Sequence, residues 1–199
     1  MNKYLISTLM INFTISILSI ISAPILVFSL NLPEYALTEG GCLEMTQAFV
    51  LVCTFAVYVA ALMCKGGKDE KMITLFFAAL TYAFILREVD FDKMNLPNVL
   101  LFMLYGHGRT ATLAIAFAIA LIGAAIRFKT YLNSTLKFLF STRGLLIALS
   151  CALLWTGYFF ERHVEGTMGE ILEETSELIG YLMLLLSAAI TLKRSHSQQ

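Results

Sequence analysis

The sequence predicts an all-α protein, a polytopic integral membrane bundle of six transmembrane helices. The first observation is composition: 58% of the residues are hydrophobic and only 14% are charged, whereas a soluble domain usually carries about 25% charged residues. The second is that long apolar runs recur, several of them near the ~20 residues that a helix needs to cross ~30 Å of hydrocarbon. No stretch is long and polar enough to form a separate soluble domain, so residues 1–199 are predicted to be a single transmembrane helical domain.

Six apolar runs give the predicted spans. The first run is longer than the roughly 7–15 apolar residues of a secretory signal, so it is predicted to remain as an uncleaved anchor. The third run is too short to cross unless it includes the charged pair that follows it, Arg87 and Glu88. The six runs are Tyr4–Leu30, Leu43–Cys64, Met72–Leu86, Thr110–Ile126, Leu145–Phe160 and Leu178–Leu192.

Two shorter segments are predicted to form helices that do not cross. Residues 95–108, with the sequence NLPNVLLFMLYGHG, are apolar but too short to span, and their Asn, Pro and Gly residues suit a helix cap, a first turn and a helix end. This predicts a short interfacial or re-entrant helix at the outer face near residues 96–105. The segment TYLNSTLKFLF is predicted to lie along the inner interface, with Lys129 and Lys137 near anionic lipid.

The basic residues set the predicted orientation. Ten of the fourteen Lys and Arg residues lie at one set of helix ends. By the positive-inside rule this side is cytoplasmic, and six spans then place both termini in the cytoplasm of a protein of the inner (plasma) membrane. The ten residues are Lys3, Lys65, Lys68, Lys71, Arg127, Lys129, Lys137, Arg143, Lys193 and Arg194.

The acidic residues show the opposite bias. Twelve of the fourteen Asp and Glu residues fall on the outer side, and topology rules do not explain this, because acidic residues contribute little to orientation. Several of these acidic residues are also predicted to lie deep in the membrane. Glu177 precedes Lys193 by 16 residues, which places it about 24 Å from that end of the helix. Ionisable groups at such depth normally face the bundle interior or a wet cavity and pair with one another.

Four glutamates form a stripe on the last predicted helix. Glu170, Glu173, Glu174 and Glu177 have the spacing i, i+3, i+4, i+7, which places them on one helix face, and Tyr181 continues the stripe one turn deeper. Like charges at this spacing repel, so the stripe predicts a compensating positive side chain, a bound cation, or protonation of some of the glutamates. The alternative is that the first three glutamates only favour the positive end of the helix dipole.

Charged and polar groups on other spans complete the candidate site. Gln47 is predicted to share a helix face with Glu44. Arg87 is predicted to pair with a glutamate of a neighbouring helix, because Glu88 points roughly 100° away on its own helix. Glu177, Glu174 and Glu44 are the candidate partners. The candidates for binding a ligand or cation are Glu44, Gln47, Arg87, Glu88, Arg109, Glu173, Glu174, Glu177 and Tyr181.

A metal site is a further hypothesis. His107 and His163 lie on the predicted outer side, and together with Glu174 and Glu177 they offer the ligand types that zinc, iron or manganese accept. The sequence has no HExxH motif and no Glu-x-x-His pair of the di-iron type. The cofactor therefore stays open, with a divalent metal as the candidate.

Two function classes are open. An acidic outer cluster favours a binding or transport protein for a cation or small polar ligand. The alternative is a hydrolase-like membrane enzyme at the outer leaflet, with Glu88, Glu174 or Glu177 as acid, base or metal ligand. The polar groups become fewer towards the cytoplasmic side, where Ser150 and Ser187 are only weakly polar. This favours a site that opens on one side of the membrane and does not continue across it.

The predicted partners follow from the same pattern. They are the lipid bilayer and the outer ligand, and no basic patch indicates nucleic acid. A homo-oligomer, or a role as one subunit of a membrane complex, is also left open.

Overall fold

The computed structural model describes residues 41–64, 68–89, 91, 97–126 and 128–197, and the regular elements in these ranges are helices. We number them in chain order. They are α1 (Cys42–Met63), α2 (Lys68–Glu88), α3 (Asn98–Leu104), α4 (Gly106–Ile126), α5 (Phe128–Leu139), α6 (Thr142–His163) and α7 (Thr167–Ser197). The prediction of an all-helical protein is confirmed for this part of the chain.

Four of these helices, α1, α4, α6 and α7, are long and apolar enough to cross a membrane. They contain the second, fourth, fifth and sixth predicted spans. The third predicted span lies inside α2, which is helical as expected but carries charged residues at both ends, Asp69 to Lys71 and then Arg87 and Glu88. The first predicted span lies outside the described residues, so the count of six spans and the position of the termini stay predictions.

The two short predicted segments are also helical. Helix α3 covers the middle of the apolar stretch near residues 96–105, and none of its residues is buried. It ends at Leu104, and Gly106 starts α4 with a φ of 60°, a left-handed conformation that glycine adopts without strain. Helix α5 buries Tyr131 and Phe138 on one side. Whether α3 is interfacial or re-entrant stays a prediction.

The described chain falls into two compact units. Unit 1 consists of the beginning of α1, as far as Gln47, together with Leu139–Ser187. Unit 2 consists of α1 from Ala48, the chain as far as Phe138, and the end of α7 from Ala188.

In unit 1, α6 and α7 pack antiparallel. The hydroxyl of Ser187 donates to the carbonyl of Arg143 at 3.2 Å, and Gly180 packs against Ser150 and its neighbour Leu154. Further along α6, Gly157 packs against the beginning of α7. The residue number rises on one helix as it falls on the other, which defines the antiparallel register.

The facing positions of α6 and α7 hold small residues at intervals of seven. Ser150 and Gly157 occupy this seam on α6, and Gly180 and Ser187 occupy it on α7. A repeat of seven keeps one face of each helix turned to the other. Because lipid is as apolar as a leucine side chain, such small residues let the backbones approach and gain van der Waals contact. A cluster of Leu146, Ile179 and Met183 packs beside the seam.

Unit 2 has its own core and its own ion pair. Tyr58, Ala78 and Ala188 are buried together, and Phe77 stacks on Phe138 with the ring centroids 5.4 Å apart. Arg194 Nε lies 3.3 Å from Glu70 Oε1, so the end of α7 lies beside the beginning of α2.

Candidate functional site

The candidate site in unit 1 is centred on a contact between α1 and α7. The side chain of Gln47 is fully buried. Its Nε2 donates to the backbone carbonyl of Glu174 at 2.9 Å and to the Glu174 carboxylate Oε2 at 2.6 Å. The second of these is short because the acceptor is charged, and such bonds are stronger than neutral ones. The pair fixes the register between the second turn of α1 and the third turn of α7.

The other end of the Gln47 amide has no partner among the described residues. Its Oε1 is buried and accepts no hydrogen bond from them. A buried acceptor left without any partner costs about 1–3 kcal/mol, and in native proteins most buried acceptors bond to protein or to ordered water. Gln47 therefore presents an unused acceptor beside a carboxylate.

The glutamate stripe of α7 passes from solvent into the interior of unit 1. Glu170 is exposed, Glu173 and Glu174 are half-buried, and Glu177 is only 4% exposed. Tyr181, one turn further, is fully buried. The helical spacing that placed these residues on one face thus places the deepest carboxylate in the protein interior.

A glycine on α6 makes room for Glu177. A Cβ atom at position 157 would lie 3.1 Å from Glu177 Cγ and 3.3 Å from the carbonyl oxygen of Glu173. Both distances are shorter than ordinary van der Waals contact. Gly157 therefore allows α6 to approach the acidic face of α7 closely, and it excludes solvent from Glu177 on that side.

Two buried hydroxyl groups in the same unit also have no partner among the described residues. They belong to Ser150, which is fully buried, and Thr175, which is 3% exposed. Both are on the helices that build the site. Together with Gln47 they make three buried polar side chains of unit 1 whose hydrogen-bonding capacity is not fully used by the described residues.

The remaining predicted residues are distributed over both units. Glu44 lies one turn before Gln47 on α1 and is half-buried. Arg87 and Glu88 end α2, and Arg109 lies in the first turns of α4, all three in unit 2. The structure therefore shows Gln47 and Glu174 in contact, and it buries Glu177 and Tyr181 in the same unit.

Arg87 pairs with Glu88 of its own helix, so the prediction that Glu88 points out of its reach is wrong. Arg87 Nε lies 3.2 Å from Glu88 Oε1. Adjacent Cβ atoms do diverge by roughly 100° on a helix, but both side chains are long enough to fold back towards each other. The side chain of Glu88 is 7% exposed while that of Arg87 is 52% exposed, so the guanidinium covers the more buried carboxylate.

The two candidate histidines do not join the glutamates. His107 is exposed on α4. His163 is exposed at the end of α6, where its ring stacks on Phe159 with centroids 4.3 Å apart, and its Nδ1 lies 2.9 Å from the Phe159 carbonyl. Within the described ranges, no three His, Cys, Asp or Glu side chains come together in a way that could hold a metal ion. The metal hypothesis gains no support from the structure.

Three residues of the site are not among the candidates that the sequence predicts. They are Gly157, Thr175 and Ser150, which lie on the helices that form the site. Of the three, only Ser150 is noted in the sequence, as a weakly polar group towards the cytoplasmic side. The signal for Gly157 and Ser150 is the repeat of small residues at intervals of seven on α6. Thr175 is adjacent to Glu174 in the chain and lies within the run of glutamates, which is the more prominent pattern.

Comparison of the chain with protein-family models, with curated proteins and with solved structures finds no match. The function therefore has to be inferred from the geometry and chemistry of the site itself.

Proposed function

We propose that this chain is a multi-pass protein of the inner (plasma) membrane whose unit 1 binds a small organic cation carrying N–H groups. The site is formed by Gln47, Glu174 and Glu177. One observation carries the proposal: Gln47 is fully buried and held on Glu174 through its nitrogen, while its Oε1 accepts no hydrogen bond from a described residue.

The chemistry of the ligand follows from the chemistry of these atoms. An amide oxygen and ionised carboxylates accept hydrogen bonds and donate none. A ligand that satisfies the Gln47 oxygen must supply a donor, and a positive charge also suits a helix face that carries several glutamates. An ammonium or alkylammonium group does both. It needs no fixed set of three metal ligands, which agrees with the lack of such a set among the described residues.

Burial supports a role in binding or transport. Carboxylates inside membrane segments mark ion or ligand paths, and the stripe on α7 descends from the exposed Glu170 to the buried Glu177. The stripe thus offers a graded acidic entry to the interior of unit 1. We place the entry on the outer side of the membrane, where the acidic residues of the sequence are concentrated.

The test is thermal unfolding of the purified full-length protein in detergent, with methylammonium chloride as the probe and sodium chloride at equal ionic strength as the reference. Binding to the folded state stabilises it by about 2.7 kcal/mol at a hundredfold excess over Kd. Since 1 kcal/mol moves Tm by about 2–4 °C for a chain of this size, we expect a rise of several degrees.

Three variants make the test specific. Gln47→Leu and Glu177→Gln should abolish the methylammonium response, because the first removes the amide acceptor and the second removes a negative charge of the site. Glu177→Gln should also raise the Tm without ligand, since it removes one charge from a repelling set. Glu170→Gln is the matched control: it makes the same change on the same helix at an exposed position, and it should respond like the wild type.

Identical responses of wild type and Glu177→Gln would refute the site. A response to magnesium or manganese chloride, without one to methylammonium, would replace the organic cation by a metal.

A further inference from the structure

A second feature of the protein lies in unit 2, apart from the chemistry of the glutamates. A cavity of about 680 Å³, which is largely open to the surface, runs along the beginning of α4. Its lining includes Tyr105, Arg109, Thr110, Leu113, Ala114 and Phe117. From Arg109 to Phe117 the lining positions have the spacing i, i+1, i+4, i+5, i+8, so they lie on one face of α4, and Tyr105 directly precedes that helix.

The lining has a cationic end and an apolar end. Arg109, with the hydroxyl groups of Tyr105 and Thr110, marks the beginning of the helix, and Leu113 and Phe117 follow one and two turns later. From Arg109 to Phe117 the helix rises about 12 Å. A matching ligand carries a negative group at one end and hydrocarbon at the other.

The charge of Arg109 is not compensated by another described residue. The structure shows no ion pair between its guanidinium and the part of the chain that it describes, and Arg109 is only half-buried. An arginine at the edge of a membrane span normally pairs or reaches the interface. Arginine also suits phosphate, because its planar fork donates two parallel hydrogen bonds.

Helix α4 is the candidate span that the protein itself covers least. Only 6% of its apolar window is buried, compared with 28% to 67% for the other three. Large apolar side chains such as Ile115, Ile119 and Ile122 are exposed on it. In a bilayer such a surface is covered by acyl chains or by another helix.

We propose that this cavity is a binding site for an anionic phospholipid. The phosphate of the lipid binds Arg109, and one acyl chain lies along Leu113 and Phe117. The charge of Arg109 selects the headgroup, and the apolar face of a poorly covered span selects a lipid over a soluble anion. This inference does not depend on the cation site of unit 1.

The experiment places a photo-reactive side chain in the cavity. The full-length protein carries p-benzoylphenylalanine in place of Ala114, which is exposed and lines the cavity. It is reconstituted in vesicles of phosphatidylcholine mixed with an equal part of phosphatidylglycerol, irradiated, and analysed by mass spectrometry. We expect adducts of phosphatidylglycerol in clear excess over those of phosphatidylcholine.

Charge variants identify the selecting group. Arg109→Gln should lower the ratio of phosphatidylglycerol to phosphatidylcholine adducts about tenfold, the effect of losing one charge-assisted contact of about 1.4 kcal/mol. Arg162→Gln is the control, because Arg162 is exposed near the end of α6 and lies 4.7 Å from the centroid of the Tyr158 ring. It should leave the ratio unchanged.

Three results would overturn the proposal: equal adduct yields for the two lipids, a ratio that Arg109→Gln does not change, or an adduct with residues 4–30 or with a second copy of the chain. The last would show that a helix occupies the cavity. If the photo-reactive variant does not fold, native mass spectrometry of wild type and Arg109→Gln counts the phosphatidylglycerol that each retains. Equal retention would then reject the site.

Discussion

At the scale of single residues, Gln47 shows how a buried polar side chain can specify the packing of two helices. Its nitrogen bonds the backbone and the carboxylate of Glu174, which fixes where α1 and α7 meet. Its oxygen has no described partner. Because a half-satisfied polar group in the interior lowers stability, this oxygen is the atom that the proposed ligand is expected to satisfy.

Two serines on the seam of unit 1 form a matched pair for testing this view. Ser187 and Ser150 are both fully buried, but Ser187 donates to the Arg143 carbonyl while Ser150 has no partner among the described residues. Ser187→Ala should lower the free energy of unfolding by about 0.6–1 kcal/mol, the usual value of such a bond between membrane helices.

Ser150→Ala should leave stability unchanged or raise it, because it removes a buried hydroxyl group that no described residue satisfies. Thermal unfolding of both variants in the same detergent, without added ligand, measures the difference. An equal loss in the two variants would show that the Ser150 hydroxyl does have a partner.

At the scale of elements, the antiparallel pair α6 and α7 places the acidic stripe against a glycine. The small residues at intervals of seven bring the two backbones together. The stripe then lies partly inside the contact instead of on an open helix face. The same seam therefore determines both the packing of unit 1 and the burial of Glu177.

Gly157→Val should disturb both properties. A side chain at this position meets Glu177 Cγ at 3.1 Å and the Glu173 carbonyl at 3.3 Å, and overpacking of this kind typically costs about 1–3 kcal/mol. We expect a lower Tm and a weaker response to methylammonium. Ala152→Val is the control, because Ala152 is exposed on the same helix. Similar losses in both variants would mean that a branched side chain anywhere on α6, rather than the contact with Glu177, explains the effect.

At the scale of the whole molecule, the sequence is a good guide to which segments are helical and a poor one to which residues touch. Hydropathy places the helices that contain Leu43–Cys64 and Leu178–Leu192 because burial in lipid imposes long apolar runs. The helical spacing of the glutamates also predicts that Glu177 lies on the inner face of α7, because this spacing can be read from a short stretch of sequence. The contact of Gln47 with Glu174 depends on the register between two helices, which no local pattern encodes.

The errors have similar physical causes. Cβ directions alone exclude Glu88 as a partner of Arg87, because they leave out side-chain length, and the structure shows that Arg87 reaches Glu88. His163 is grouped with Glu174 and Glu177 as a candidate metal ligand because all three lie near the predicted outer boundary of the membrane. A shared boundary does not bring residues on different helices together. The ring of His163 instead stacks on Phe159 of its own helix.

The orientation of the chain in the membrane is a prediction that concerns every helix. The ion pair between Glu70 and Arg194 joins the beginning of α2 to the end of α7, and the distribution of basic residues assigns both of these ends to the cytoplasm. With six spans, the connections around residues 37, 94 and 165 should then face the outer side. Position 68 should face the cytoplasm.

Single cysteines test this directly. The four native cysteines are all free and are first replaced by serine. Leu37→Cys, Met94→Cys and Glu165→Cys should react with a membrane-impermeant maleimide added to intact cells, because each is predicted to meet outer solvent. Lys68→Cys should react only after the cells are opened. Labelling at position 68 in intact cells, together with protection of the other three, would invert the orientation. The acidic entry to unit 1 would then open towards the cytoplasm.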